Sequence, residues 1–314
     1  MLKYDPGGGK LAFSNTAYKY VNLEGAKKII ANSSLRFARP AEMNDPFDVR
    51  IDELFDSDLE QFLGENKLPL FDLFVQNPEP YLKRKGFQPK AAEMFAKALG
   101  ALPEADKVQL RNEFAATDLA KLYPDMDGMK QRIEADRQFV ISNIENTGIF
   151  CATKNFSNLL MWAHYADQHK GLVLGFKPSL ERDSMLMLLE PVIYSNKRPA
   201  FYDPKLDWNP DADKEASRIV SEQIIKRIHF TKSLHWSYEE ELRFVIPDEV
   251  KQGEQASFLK FYPEELAELY LGCRMEENVK DQISSIALKL NPKVAIFQSK
   301  LAKYSYELEF IKIV

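Results

Sequence analysis

The sequence predicts an α+β fold, with a mostly antiparallel sheet, a few helices and a helical insertion. Three observations predict it. Short runs rich in Tyr, Val, Ile and Phe, bounded by turn residues, recur near the N-terminus and again from residue 149 onward. Helix formers dominate from about residue 51 to 147, where prolines at 69, 78, 80, 89, 103 and 124 cut the pattern into pieces. The strands do not alternate regularly with crossover helices, and no G-x-G-x-x-G or Walker pattern occurs, so Rossmann and P-loop folds have no support. Residues 1–50 and 148–314 therefore form the α+β core domain, and 51–147 the insertion.

The elements follow in order. Residues 1–15, with glycines at 7 to 9, read as a loose lead-in. "YKYV" at 18–21 is a short strand, and Asn22 caps a helix whose apolar positions are Leu23, Ala26, Ile29 and Ile30. "SLRFA" at 34–38 is the next strand, ended by Pro40 and the Asn44-Asp45-Pro46 turn. In the insertion, "PKAAEMFAKALGA" and "MKQRIEADRQFVISNIENTG" have helical spacing, the latter closed by Gly148. "IFCAT" (149–153) and "LVLGF" (172–176) flank a helix with Ser157 as its cap and Lys170-Gly171 at its end. "EPVIYS" is a strand, and 211–232 a helix carrying Ile219, Val220, Ile224, Ile225 and Ile228. Strands follow near 240–246, 257–261 and 268–272, then a helix near 276–290 and strands near 293–298 and 305–313. In the last strand Tyr306, Leu308 and Phe310 alternate with Glu307 and Glu309, then the phase slips at Ile311, which predicts a bulge near Phe310 or a second covered face.

Composition bounds the function. The chain is 45% hydrophobic and 28% charged, an ordinary globular balance. A net charge of -5 argues against holding nucleic acid by bulk electrostatics, while leaving room for a local basic groove. No apolar run reaches the length of a membrane span, and the N-terminus has no signal-peptide pattern. Two isolated cysteines, Cys151 and Cys273, offer neither a disulfide framework nor a zinc site, so a reducing cytoplasm is the expected setting.

Three stretches can carry chemistry. In "WSYEEELRFVI", an extended backbone puts Glu239, Glu241 and Arg243 on one face, the carboxylates roughly 7 Å apart. Acids that close can divide the labour on one small substrate, one stabilising a developing cation and the other handling a proton. The plainer reading is a solvated face with a weak Glu241–Arg243 pair. In "MWAHYADQHKG", helical spacing puts Trp162, Tyr165, Ala166 and His169 on one face, and His164 nearly opposite. That face reads either as core or as a platform for a base or nicotinamide ring. The two histidines are five apart, the wrong spacing for a helical zinc pair. "NDPFD" is a turn whose carboxylates suit a metal, a ribose or a basic partner. Lys232 and His235, just before Trp236, suit a phosphate or a plain loop.

The blocks "YKYVNLEGAKKIIANSSLRFARPAEMNDPFD", "ATKNFSNLLMWAHYADQHKGLVLGF", "KSLHWSYEEELRFVIP" and "LYLGCR" together resemble a bacterial family, domain of unknown function 2971, over roughly residues 18–48 and 149–275. More remotely, a strand, a short helix, a second strand and a late Glu-x-Glu entering a strand resemble the layout of ADP-ribosyltransferases. That resemblance implies a split antiparallel sheet with NAD as substrate across it. It makes Glu241 the carboxylate that stabilises the cationic ribose and Glu239 the one that orients the acceptor. Tyr18, Lys19 or Tyr20 take the first-strand position, and Thr153 supplies a strand-end hydroxyl. Arg36 and Arg243 add cations, Trp162, Tyr165 and His169 the ring-stacking face, and Asn44 and Asp45 a closing loop. The Ser-Thr-Ser of that superfamily is absent, and Cys151-Ala152-Thr153 stands instead.

The expected function is thus NAD cleavage with transfer of ADP-ribose to a nucleic acid or protein, without a membrane partner, in a defence or toxin setting. On this reading Glu241→Gln abolishes turnover and leaves the melting temperature nearly unchanged. The alternatives are a magnesium-dependent nuclease or phosphodiesterase using Asp45, Asp48, Glu239 and Glu241, or a non-catalytic nucleotide-sensing module in phage defence.

Overall fold

The computed structural model describes residues 13, 15–50, 59–84, 86–199, 223, 225–247, 249–251 and 253–314. The chain divides into two compact units. One comprises Met1–Asp48, Asn143–Lys197 and Phe230–Val314; the other comprises Val49–Ser142 and Arg198–His229. The second unit thus takes in 198–229, which the sequence reading placed in the core domain.

The first unit is α+β. It begins with β1 (Ala17–Val21), α1 (Leu23–Asn32) and β2 (Ser34–Ala38). Asn22 caps α1 by accepting from the Gly25 N–H, and Ala26 and Ile30 form its buried stripe. Ser33 closes the helix in the left-handed region, φ 46°, and turns the chain directly into β2.

In the second unit the regular elements among the described residues are helices: α2 (Leu59–Gln76), α3 (Pro78–Arg84), α4 (Pro89–Gly100), α5 (Glu104–Ala116) and α6 (Leu119–Leu122). Pro78 and Pro89 sit at first helical positions, where the missing N–H costs nothing. Phe71 stacks on Phe114 at 4.6 Å, and Arg111 forks onto Asp72 at 2.7 and 3.0 Å, tying α2 to α5. The α7 helix (Met126–Glu145) ends three residues before Gly148, which opens β3 instead of capping the helix. Of the helix expected over 211–232, residues 223 and 225–229 are helical, Phe230 is a turn and Thr231–Ser233 is a strand; residues 211–222 and 224 lie outside the described residues.

The first unit continues with β3 (Gly148–Thr153), α8 (Leu159–Tyr165), β4 (Leu172–Phe176), β5 (Glu190–Pro191) and β6 (Ile193–Ser195). It closes with β7 (Thr231–Ser233), β8 (Glu241–Ile246), β9 (Ala256–Lys260), β10 (Leu266–Leu271), α9 (Glu277–Leu290), β11 (Ala295–Leu301) and β12 (Leu308–Lys312). Asn158, not Ser157, caps α8, accepting from the N–H groups of Leu160 and Met161. The β11–β12 register runs unbroken from Leu301↔Leu308 to Phe297↔Lys312, so the expected bulge is absent; Ile311 simply lies exposed.

The main sheet runs β12-β11-β10-β4-β1-β3-β2-β9, with β8 and β5 attached beyond β3. Among the described residues every pairing in it is antiparallel except β10–β11, which α9 connects. On one edge β3 pairs with β8 along its whole length, from Gly148↔Ile246 to Thr153↔Glu241. On its other edge β1 meets it only at Tyr18↔Thr153, and β2 only at Ala38↔Ile149. The sheet therefore parts along the middle of β3. The larger apolar core includes Ala26, Ile30, Leu35, Phe37, Phe150 and Leu174. A second, aromatic-rich cluster holds Tyr20, Trp162, Val173 and Tyr270.

Candidate active site

A cleft of about 810 Å³ occupies the parting, bordered by β1, β2 and β3. This is the size of a small-molecule site. Lys19 of β1 reaches across it and donates to the Cys151 carbonyl on the unpaired edge of β3, at 2.6 Å.

At one end of the cleft lies a buried charge cluster. Lys232 of β7 donates to Glu239 Oε2 at 2.5 Å and to Glu241 Oε2 at 2.9 Å. Arg243 of β8 bonds Glu241 Oε1 through Nε at 2.7 Å and forks onto both Asp48 oxygens at 2.9 and 2.5 Å. All five side chains are buried, Arg243 completely. Three carboxylates thus face two cations. The two separated stretches "NDPFD" and "WSYEEELR" do meet, through Asp48 and Arg243. The solvated-face reading of Glu241 and Arg243 is overturned: both side chains are buried, and each faces opposite charge from Lys232 or Asp48.

Glu239 does not reach the cluster along a strand. It ends a tight 3₁₀ turn, Leu234–Glu239, and Glu240 then takes a left-handed conformation, φ 46°, before β8 starts. That turn brings Glu239 and Glu241 onto the same ammonium. A second chain of contacts meets Glu239 from the other side. Asn44 Nδ2 donates to the Tyr165 hydroxyl at 2.6 Å, and that hydroxyl donates to Glu239 Oε1 at 2.6 Å. Thr153 donates to the Glu239 carbonyl at 2.5 Å, and Tyr194 Oη accepts from the Glu241 N–H at 2.8 Å.

The environments push the two acids apart. Burial raises the Glu239 carboxyl above its usual range against the pull of Lys232. Burial also opposes ionisation of Glu241, but Arg243 and Lys232 outweigh it and hold that carboxyl well below the carboxylate range. Burial would lower the Lys232 ammonium, yet Glu241, Glu239 and Asp48 raise it, so it stays charged. Burial and the neighbouring Glu239 raise the Tyr165 phenol, which remains a proton donor.

Of the residues singled out from sequence, Glu239, Glu241, Thr153, Tyr165 and Asn44 line the cleft, as do Tyr18, Lys19, Tyr20 and Arg36. Four do not. Arg243 lies behind Glu241. Trp162 is fully buried, its Nε1–H donating to the Phe156 carbonyl at 2.9 Å, and so is core. His169 falls beyond the end of α8 and stacks on Trp162 with ring centroids 6.1 Å apart, so the expected shared helical face ends at Tyr165. Asp45 is buried in its own turn, its Oδ1 accepting from the Phe47 N–H at 2.9 Å while its Oδ2 has no hydrogen-bond partner among the described residues. The magnesium arrangement is not assembled: Asp48, Glu239 and Glu241 already face Lys232 and Arg243. Among the described residues no group of three or more His, Cys, Asp or Glu is placed to hold a metal.

Sequence reasoning took Lys232 as a phosphate ligand or part of a plain loop and missed its role as the hub. A lone lysine seven residues before an acidic pair carries no local signal; only the turn at Leu234–Glu239 folds it back. Lys28, Phe258 and Lys260, also at the cleft, went unremarked for the same reason.

No helix among the described residues is long and apolar enough to cross a membrane. No curated protein matches the chain, and no solved structure matches it. Residues 161–244, which run from within α8 to Phe244 on β8, match the model of a family described as "Protein of unknown function (DUF2971)".

Proposed function

We propose that the cleft binds NAD and cleaves its nicotinamide–ribose bond, passing ADP-ribose to a hydroxyl or other nucleophile of a nucleic acid or protein. The observation that carries this reading is the acid pair Glu239 and Glu241, held on one lysine where the sheet parts, with proton affinities driven in opposite directions. Such a divergence assigns separate roles to neighbouring acids. Glu241 is a fixed anion. With Asp48 and an ionised Glu239 it leaves the cluster one negative charge in excess over Lys232 and Arg243, which suits a developing cationic ribose. Glu239, with its raised affinity and its bond to Tyr165, suits proton transfer. In the reaction the bond from ribose C1′ to the nicotinamide nitrogen breaks and its electron pair leaves with nicotinamide. The acceptor oxygen bonds to C1′ and its proton passes to Glu239. The parted antiparallel sheet is the feature that favours the transferase resemblance.

Nicotinamide release from NAD by purified protein, with and without DNA, RNA and cell lysate, tests the reading. In Glu239→Gln the amide oxygen still accepts from Lys232, which also keeps Glu241, and the amide N–H can donate to the Tyr165 hydroxyl, so the variant stays folded and loses release by about 10²-fold or more. The lane that accelerates release identifies the acceptor class. No release in any lane, with no rise in melting temperature on adding NAD, sinks the proposal.

A further inference from the structure

The end of the cleft away from the acid pair carries a different chemistry. On β9, Phe258 stands directly opposite Arg36 of β2, and Lys260 opposite Ser34. Directly opposed residues of an antiparallel pair share a face. Leu259, between them, packs on the larger core, so Phe258 and Lys260 point away from it. All four residues line the cleft, and Lys28 of α1 joins them. Phe258 is 62% exposed, and its ring has no aromatic partner among the described residues. An exposed phenylalanine beside three cations is not explained by packing. Arg36 is partly offset by Glu42 at 3.6 Å, and Lys260 donates to the Asn32 carbonyl, which leaves a surplus of positive charge in a chain of net charge -5.

We infer that this mouth is a subsite for an adenine base and its attached diphosphate, with Phe258 as the stacking surface and Lys28, Arg36 and Lys260 as the phosphate ligands. An aromatic face beside cations is the sequence-tolerant way to hold a nucleotide, because every base has a π-face and the cations meet its phosphates. Spacing agrees with a dinucleotide. From Glu241 on β8 to Phe258 on β9 the order is β8-β3-β2-β9, three interstrand steps of about 4.8 Å, or about 14 Å across before the parting adds more. A mononucleotide occupies one end of such a span; a dinucleotide reaches both. The inference deepens the reading of the cleft as an NAD site and rests on it for the identity of the ligand, but not on the cleavage step.

Calorimetric titration of the full chain with ADP, adenosine and inorganic diphosphate tests it, using wild type, Phe258→Ala, Phe258→Tyr and Lys260→Ala. The expected result is that ADP binds wild type, that Phe258→Ala weakens ADP about tenfold or more, and that Phe258→Tyr restores it. Lys260→Ala weakens ADP and diphosphate alike and leaves adenosine little changed. Phe258 is exposed, so its variants fold, and matching melting curves check this. ADP binding that ignores Phe258→Ala, or no ADP binding by wild type, overturns the subsite. Failure of cleavage is read separately: absent nicotinamide release with ADP binding that depends on Phe258 removes the transferase chemistry and keeps the subsite.

Discussion

Arg243 shows how much one side chain can hold. Its guanidinium has no solvent exposure and joins Asp48, the last residue of the N-terminal piece of its unit, to Glu241 on β8. Replacing it with Met keeps the bulk and strands two buried carboxylates. Removing one partner of a buried pair costs about 3–5 kcal/mol, and we expect Arg243→Met to lower unfolding stability by about that amount in urea titrations. The same burial revises the expectation for Glu241→Gln. That variant leaves Arg243 and Lys232 undercompensated and destabilises the fold, so Glu239→Gln is the cleaner probe of chemistry. Glu241 also sets a pH dependence. Its folded proton affinity lies below that of the unfolded chain, whose carboxyl titrates near pH 4.3, so its contribution is present above that pH and is lost as pH falls below it. Unfolding free energies of wild type and Glu241→Gln from pH 7 down to pH 3 are expected to converge toward acid. A constant gap would remove Glu241 from this role.

At the level of elements, the turn joining α8 to β4 departs furthest from what a reader of the sequence expects. Asp167, Gln168 and His169 all lie in the left-handed region, with φ of 46°, 52° and 69°. None is glycine or asparagine, the residues that announce such a turn. This is why helical spacing wrongly carried the face of Trp162 and Tyr165 on to His169. Backbone bonds enforce the turn: His169 N–H to the Trp162 carbonyl at 3.2 Å, Gly171 N–H to Ala166 at 2.8 Å, and Arg274 N–H to His169 at 3.0 Å. Gly171, expected to cap the helix, lies past its end, since α8 stops at Tyr165 and Ala166 caps it; Gly171 and Gly272 are needed for close backbone approach instead. A Cβ on Gly171 would come within 2.3 Å of the Val21 carbonyl oxygen, and one on Gly272 within 2.2 Å of that of His169. A left-handed non-glycine residue costs about 1–2 kcal/mol, part of which glycine returns as chain entropy. Gln168→Gly is therefore expected to raise stability by up to about 1 kcal/mol in thermal or urea unfolding; a loss would mean that the Gln168 side chain carries weight of its own.

For the whole molecule, the strands and helices were largely legible because their signals are local. Asn22 caps α1, "SLRFA" and "LVLGF" match β2 and β4 to the residue, and Pro78 and Pro89 open helices, whereas Pro69, expected to break one, lies inside the continuous α2. Half of the site was legible too, since Glu239, Glu241 and Tyr165 belong to aromatic-acid stretches that stand out in the chain. What stayed hidden is partnership between distant segments. Nothing near Lys232 announces three carboxylates, and nothing near Phe258 announces Arg36, because both depend on turns and strand order set by the full chain. The parted sheet has a further consequence. Strand β3 lies in the interior of the strand order, yet along its middle one side has no strand to bond among the described residues, and Lys19 satisfies the Cys151 carbonyl there. Proteins normally bury, shorten or charge an open edge to stop other chains from adding to it. Here the fold keeps one indoors: a row of backbone donors and acceptors shielded from aggregation by its neighbours, open only to something narrow enough to enter between β1 and β2.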